Sequence, residues 1–411
     1  MPEFLELLPP GQALERMLNQ LPDPLLEVET ISTESALHRV TGEAVISHEM
    51  LPAFSRSTVD GFAVRAQDTF GASDSLPAYL LLGPETPMGK APEFSLASGQ
   101  ASLIHTGGML PENADAIVML EHTQVTGSGE LEILRPVGKG ENTLLPGEDV
   151  KAGQEVLPRG VRLGPAEIGG MLALGAVRVV VVQPPKVGIL SSGDEVILPV
   201  QDPKPGQVRD INSYSLSALI QQSGGKPVRY GIVPDKWDDL FRTLGKALQE
   251  CDMVVITAGS SASERDLTAE VIQQTGKPGV LVHGVNVRPG KPTILAVCDG
   301  KAVIGLPGNP VSALVIARLF VTPVVQRLSG VRERPIQPFV NARLKNNLAS
   351  QAGREDWIPA RLIKNGGIFE VEPIFFKSNL IFTLAQADGL IYIPADTTGF
   401  AAGDFVQVEF F

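Results

Sequence analysis

Several carboxylates fall where a strand or helix is about to begin or end. Asp194 and Glu195 follow the apolar run Val187–Leu190 and a Ser-Ser-Gly turn, while Asp235 and Asp266 each precede a helical pattern. Carboxylates crowded at strand ends repel one another unless a cation intervenes. Mg²⁺ suits that place because it takes oxygen ligands and shares them with phosphates. Each carboxylate taken singly has a plainer use, since N-capping alone accounts for Asp235 and Asp266. Arg288 and Lys291, in VRPGKP, bring positive charge that suits an oxyanion; a solvated turn is their plainer reading.

A second device lies in VIGLPGNPVSA, residues 303–313. Asn309 is a favoured N-cap and Pro310 suits the first helical position, where its missing N–H is not needed. The strand would thus run through Pro307-Gly308-Asn309-Pro310 into a helix N-terminus whose free amides form an anion site. Asp60, in SRSTVDGFAVR, and Thr106, in HTGG, are polar groups in otherwise apolar, strand-like surroundings.

These groups need a frame, and residues 184–332 read as one. Strands are expected at Val187–Leu190, Met253–Thr257, Val280–Val285 and Val303–Leu306. Helices are expected at Asn212–Ser223 (capped by Asn212), Lys236–Gln249, Asp266–Gln274 and Pro310 to about Leu328. Strand–helix alternation of this kind implies a parallel sheet covered on both faces. Ligands then bind beyond the carboxyl ends of the strands. The loops there are SSGDE (191–195), AGSSASERD (258–266) and LPGNP (306–310).

Around this frame, residues 48–150 form short β runs separated by Gly, Pro, Ser and Asn. The flanking pieces, 1–47 and 151–183, are each too small for a core and are expected to pack together as one discontinuous domain. Residues 333–411 return to short strands, a terminal β-domain of barrel type. The fold class is therefore multidomain: a central α/β domain, an inserted β-rich domain, a small helix/strand domain and a C-terminal β-domain.

Composition narrows the function. A net charge of −12 argues against a general nucleic-acid binder. Two cysteines, Cys251 and Cys298, make neither a disulfide framework nor a zinc cluster, and the histidines show no HExxH spacing. The start, MPEFLELLPPGQ, lacks the pattern of a signal peptide, and Ala176–Val182 is interrupted by Arg178, so a cytoplasmic protein with no membrane span is expected.

Taken together, STVDGFAVR, HTGGMLPENADAIVMLE, PGEDV, VGILSSGDE, VRPGKP and VIGLPGNPVSA occur in one order. In that order the sequence resembles the molybdopterin molybdenumtransferase family, which includes bacterial MoeA and the E-domain of gephyrin. GREDWIPARL and ADGLIYIPADTTGFAAGDFVQV extend the resemblance through the terminal β-domain. The resemblance implies an enzyme of molybdenum cofactor biosynthesis. It would take adenylylated molybdopterin and molybdate, use Mg²⁺, and release AMP. It also implies a homodimer with the active site shared between subunits, and supply of substrate from a molybdopterin adenylyltransferase.

By motif position, Glu195, Asp235 and Asp266 would be the catalytic and metal-holding carboxylates. Asp60, Thr106, Asp149, Ser192, Gly193, Arg288, Lys291 and the Pro307, Gly308, Asn309, Pro310 loop would bind substrate. Three positions depart from the family pattern: the AGSSASE loop is a residue short, Gly284 replaces a basic residue, and Leu144 replaces an Arg. Fewer cations leave tungstate open beside molybdate. A non-catalytic scaffold like the gephyrin E-domain is the alternative from another class. Intact carboxylates at 195, 235 and 266 weigh against it. An adenylyltransferase or nucleotide pyrophosphatase sharing the α/β domain would lack the STVDGFA and HTGG segments.

Overall fold

The computed structural model describes residues 7–258, 262–332, 336–375 and 377–410, without the side chains of 258 and 262–266. Its central sheet has six strands in the order Lys226–Val233, Lys186–Ser192, Met253–Ala258, Lys301–Pro307, Ile294–Cys298, Pro278–His283. The first four are parallel, and the last two turn antiparallel. The run expected at Val280–Val285 is therefore an antiparallel edge strand ending at His283. It pairs with Ile294–Cys298, which then turns back through Asp299-Gly300. Both of those residues have positive φ, 48° and 82°, as a tight two-residue hairpin requires.

Period-2 alternation explains why the strands read as continuous apolar runs. Met253 and Val255 point to one face, among Leu216, Ile220 and Phe320. Val254 and Ile256 point to the other, among Leu240, Leu244 and Ile272. The Pro310–Leu328 helix is long and apolar enough to cross a membrane, yet its Val311, Val315, Phe320 and Val324 lie in the first of these cores. A π-helical turn spans Ala317–Val321. Pro323 follows it, has no N–H to donate, and displaces the carbonyl four residues back.

Helix Pro10–Leu18 places Ala13 and Met17 in that same core. It therefore belongs with the α/β sheet, not with the 151–183 segment as the 1–47 boundary implied. Val28–Ser32 does pair antiparallel with Arg178–Val182, bringing together the chain before and after the inserted β-domain. The inserted domain is a six-stranded sheet over its own core, Phe62, Val64, Leu131 and Ile133 among others.

The C-terminal strands close on themselves, because Glu355–Asn365 pairs with both Ile368–Pro373 and Gly389–Ile393. This is the barrel expected from sequence. Val287–Arg288 joins it, parallel to Glu355–Asp356. That pairing ties the VRPGKP turn of one domain to the next.

Candidate functional site

The Pro307–Pro310 loop is held from two sides. Asn212 Nδ2 donates to the Gly308 carbonyl at 2.8 Å, and Asn309 Nδ2 donates to Ser378 Oγ at 2.9 Å. Asn309 occupies the N-cap position without a side-chain cap bond, its Nδ2 being turned to Ser378. The Val311 N–H also goes to Ser378, at its carbonyl, 3.0 Å away. The expected open anion site at this helix start is thus partly filled by a neighbouring loop.

Anion-binding character lies beside the loop instead. A cavity of about 680 Å³ is lined by Arg288, Lys291, Arg354, Lys377, Asn309 and Ser312, among others. Asp356, fully buried, accepts from Arg354 Nε at 2.8 Å and lies 3.6 Å from Arg288 Nη1. A buried carboxylate is stable only when paired and hydrogen-bonded, and in return it fixes two cations at the rim. Gly290 forms the back of the VRPGKP turn at φ +112°, where an added Cβ would stand 2.2 Å from Ile316 Cγ1.

A second cavity, of about 550 Å³, opens on the other side of the loop and shares Asn309. Ser191, Ser192, Glu195 and Thr257 line it. Ser191, Ser192 and Thr257 close the strands Lys186–Ser192 and Met253–Ala258, with Glu195 in the turn after the first; these are the neighbours where the strand order reverses. In open α/β sheets that switch point is where ligands bind.

Local propensities were overruled here by partners from afar. Asp235 does not cap the helix Trp237–Glu250, which has no side-chain cap bond. Its carboxylate instead accepts from Ser192 Oγ, and from the Asp194 N–H at 3.2 Å. Asn212 is the first residue of its helix and not its cap. The capping carboxylate is Asp210, which accepts from the Ser213 N–H at 3.1 Å, Ser213 Oγ at 2.6 Å and Ser191 Oγ at 3.0 Å. Gly193 has φ +147°, and a Cβ there would meet Val196 Cγ2 at 2.7 Å and Glu195 Oε2 at 2.8 Å.

Asp266 lies within the helix Ala262–Thr275 and not at its start, since Ala, Glu and Arg before it are good helix formers. Its side chain is outside the described residues, as is most of the AGSSASE loop. Among the described residues, no three His, Cys, Asp or Glu side chains form a group that could hold a metal.

Asp60, Thr106 and Asp149 sit in and beside the inserted domain, and none of them lines either cavity. Asp60 Oδ1 accepts from the Thr106 N–H at 2.7 Å and from Thr106 Oγ1 at 3.0 Å. These bonds, the backbone one foremost, hold the exposed Asp60 carboxyl below its ordinary range. His105 Nδ1 stands 3.7 Å from the same oxygen. Asp149 is exposed, its N–H donating to Leu51 O at 3.0 Å.

Three family models account for most of the chain. They are the MoeA N-terminal region (domain I and II) over residues 8–175, a "Probable molybdopterin binding domain" over 188–327, and the MoeA C-terminal region (domain IV) over 341–411. The molybdopterin molybdenumtransferase of Nostoc sp. is 32% identical over 391 residues, covering 94% of this chain and 89% of the relative. The chain belongs to the MoeA family.

The enzyme of the same name from Bacillus subtilis is also 32% identical, over 93% of this chain and 89% of its own length. A solved molybdopterin biosynthesis MoeA protein from Pyrococcus horikoshii OT3 superposes with a TM-score of 0.84. It is 31% identical and covers 99% of this chain and 100% of its own. MoeA proteins belong to molybdenum cofactor biosynthesis, and that is the process this chain serves.

Within this MoeA chain the sequence reading found half of the basic cavity. Arg354, Lys377 and the buried Asp356 escaped it, as did Ser378, which anchors Asn309. Arg354 and Asp356 stand in the quoted GREDW motif. A carboxylate two residues from an arginine and next to Trp was the available signal.

Proposed function

We propose that the protein inserts molybdate into adenylylated molybdopterin, yielding molybdenum cofactor and AMP. One observation carries the proposal: two cavities meet at Asn309, one lined by Arg288, Lys291, Arg354 and Lys377, the other at the switch point with Glu195. A tetrahedral dianion suits the first, and a larger phosphate-bearing ligand suits the second. Bringing both to one partition supplies proximity, and the cations offset charge at the reacting centre. No protein nucleophile is called for.

Glu195, Asp235 and Asp266 are the carboxylates proposed to act, and the roles differ by environment. Glu195 faces the second cavity, whereas Asp235 is committed to Ser192 and to the Asp194 N–H, so it would act by holding the SSGDE turn. Oxygen donors from one or two carboxylates fit Mg²⁺, which keeps its waters and completes its shell on substrate phosphates. When bound, the ion would neutralise the phosphoanhydride.

Asp60, Thr106 and Asp149 reach neither cavity of their own chain. The proposal therefore includes a homodimer in which the inserted domain of a second copy covers the cleft. It also includes a molybdopterin adenylyltransferase as the source of substrate. The setting would be cytoplasmic, in keeping with two buried, unpaired cysteines.

The test is AMP release from adenylylated molybdopterin and Mg²⁺, with molybdate, with tungstate, and with neither. Oxyanion-dependent release with formation of metallated cofactor supports the proposal, and the two oxyanions compare metal preference. No release by folded protein under any condition would favour the scaffold alternative.

A further inference from the structure

The second cavity has a wall that lies outside the motifs read from the sequence. Val196–Ile197 pairs with Val208–Arg209, and residues 198–207 make an excursion between them. Two turns shape it. The Leu198 N–H donates to Gln201 Oε1 at 3.2 Å, and the Lys204 N–H donates to Gln207 Oε1 at 3.0 Å. Arg209 binds the first turn from inside. Its Nε donates to the Pro199 carbonyl at 3.0 Å and to the Gln201 carbonyl at 3.1 Å, and its Nη2 lies 3.4 Å from Asp202 Oδ1.

Arg209 also lines the cavity, together with Val208 from its own strand and Pro203 from the excursion. Two carboxylates share that lining, Glu195 and Asp210. Asp210 is satisfied by Ser191 and Ser213. Among the described lining residues Arg209 is the cation. Its guanidinium is a rigid, always-charged fork whose orientation is already fixed by loop carbonyls. Nη1 has no partner among the described residues. A donor oriented before binding loses little freedom when a ligand arrives.

We propose that Arg209 grips the phosphate of the adenylylated substrate in the second cavity. The inference rests on reading that cavity as the seat of this substrate. It gives the cleft an anion grip on each side of the Pro307–Pro310 partition: four cations toward the oxyanion, and Arg209 toward the phosphate. Because the same guanidinium holds the Pro199 and Gln201 carbonyls, phosphate binding and order of residues 198–207 are linked.

Calorimetric titration with AMP and with adenosine, both with Mg²⁺, tests this on wild type, Arg209→Gln and Arg209→Lys, with thermal melts checking the fold. Wild type should prefer AMP. Arg209→Gln should weaken AMP at least about tenfold, the loss of one charge-assisted hydrogen bond, and leave adenosine unchanged. Arg209→Lys should keep part of the preference. It should also speed amide hydrogen exchange at Leu198 and Lys204 relative to wild type, because lysine has no N–H at the Nε position that holds both carbonyls. Equal AMP affinity in wild type and Arg209→Gln overturns the proposal, as does an equal loss for AMP and adenosine. A wild type that turns over yet binds AMP no better than adenosine also overturns it, while leaving the transferase reading intact. A wild type that neither turns over nor binds AMP sinks that reading first.

Discussion

Replacing Asp356 by Asn keeps the side-chain shape and removes a fully buried charge beneath the basic cavity. Two consequences follow, and their sizes differ. Breaking a buried ion pair costs roughly 3–5 kcal/mol when both partners are enclosed. Arg354 and Arg288 are 29% and 51% exposed, so water compensates them in part, and about 2 kcal/mol is expected. On binding, the effects oppose. A dianion placed about 7 Å away would escape repulsion worth about 1.2 kcal/mol in a high-dielectric rim. Arg354 and Arg288, freed from the carboxylate, would then have to be ordered by the ligand, at a cost of about 1.1 kcal/mol each. Preorganisation wins by about 1 kcal/mol, which is roughly a fivefold rise in the molybdate concentration needed for half-maximal AMP release. Urea unfolding and a molybdate titration of wild type and Asp356→Asn measure both quantities. Tighter molybdate binding in the variant would refute the view that Asp356 acts by positioning cations. Unchanged stability would refute the pairing itself.

Glu195→Ala should abolish AMP release while shifting stability by less than about 0.5 kcal/mol, because the residue sits half-exposed past a strand end; full activity in a rate assay would remove Glu195 from the site. Gly290→Ala should destabilise by about 3 kcal/mol in chemical denaturation, from a Cβ 2.2 Å from Ile316 Cγ1 and from φ +112°. A fully stable variant would show that the turn can rotate. Ser378→Ala leaves the Asn309 amide unpaired while the Val311 N–H keeps the carbonyl of residue 378, so a loss of about 1 kcal/mol is expected with weaker binding on both sides of the partition; unaltered binding would separate Ser378 from the site. For Asp60 the folded carboxyl titrates below its unfolded value. Its contribution is therefore complete above the unfolded pKa and disappears as pH falls through the folded one. Thr106→Val, which removes the hydroxyl bond and keeps the backbone one, should move that titration part of the way up in carbon NMR, and an unmoved midpoint would leave the hydroxyl without a share in the shift.

How far the chain could be read in advance follows from which forces are local. Val187–Leu190 and Met253–Thr257 were legible because strands buried on both faces must be apolar throughout, and no other element need be known. The edge of the sheet was misread although its signal was present. Asp299-Gly300 between ILAVC and KAVIG marks a two-residue hairpin, which forces Ile294–Cys298 to run antiparallel. Capping rules failed at Asp235, Asn212 and Asn309 where tertiary contacts turn the side chain elsewhere. Each side chain is oriented by a partner brought in by tertiary folding: Ser192 occupies the Asp235 carboxylate, while Gly308 and Ser378 take the Nδ2 donors of Asn212 and Asn309 and turn those side chains away from the helix.

The cations divide in the same way. Arg288 and Lys291 sit on one turn and announce themselves by spacing. Arg354 reaches that turn because Val287–Arg288 pairs with Glu355–Asp356 across a domain boundary, and Lys377 because its neighbour Ser378 is bonded to Asn309 and Val311; no spacing rule within one segment encodes such pairings. What GREDW does contain is an Asp followed by Trp at the start of a strand. If alternation puts Trp357 into the core, Asp356 points to the opposite face. Whether that face is open or closed depends on the neighbouring domain, and here it is closed by the VRPGKP turn. The carboxylate is thereby forced to find cations, and the nearest are the ones that an oxyanion would use.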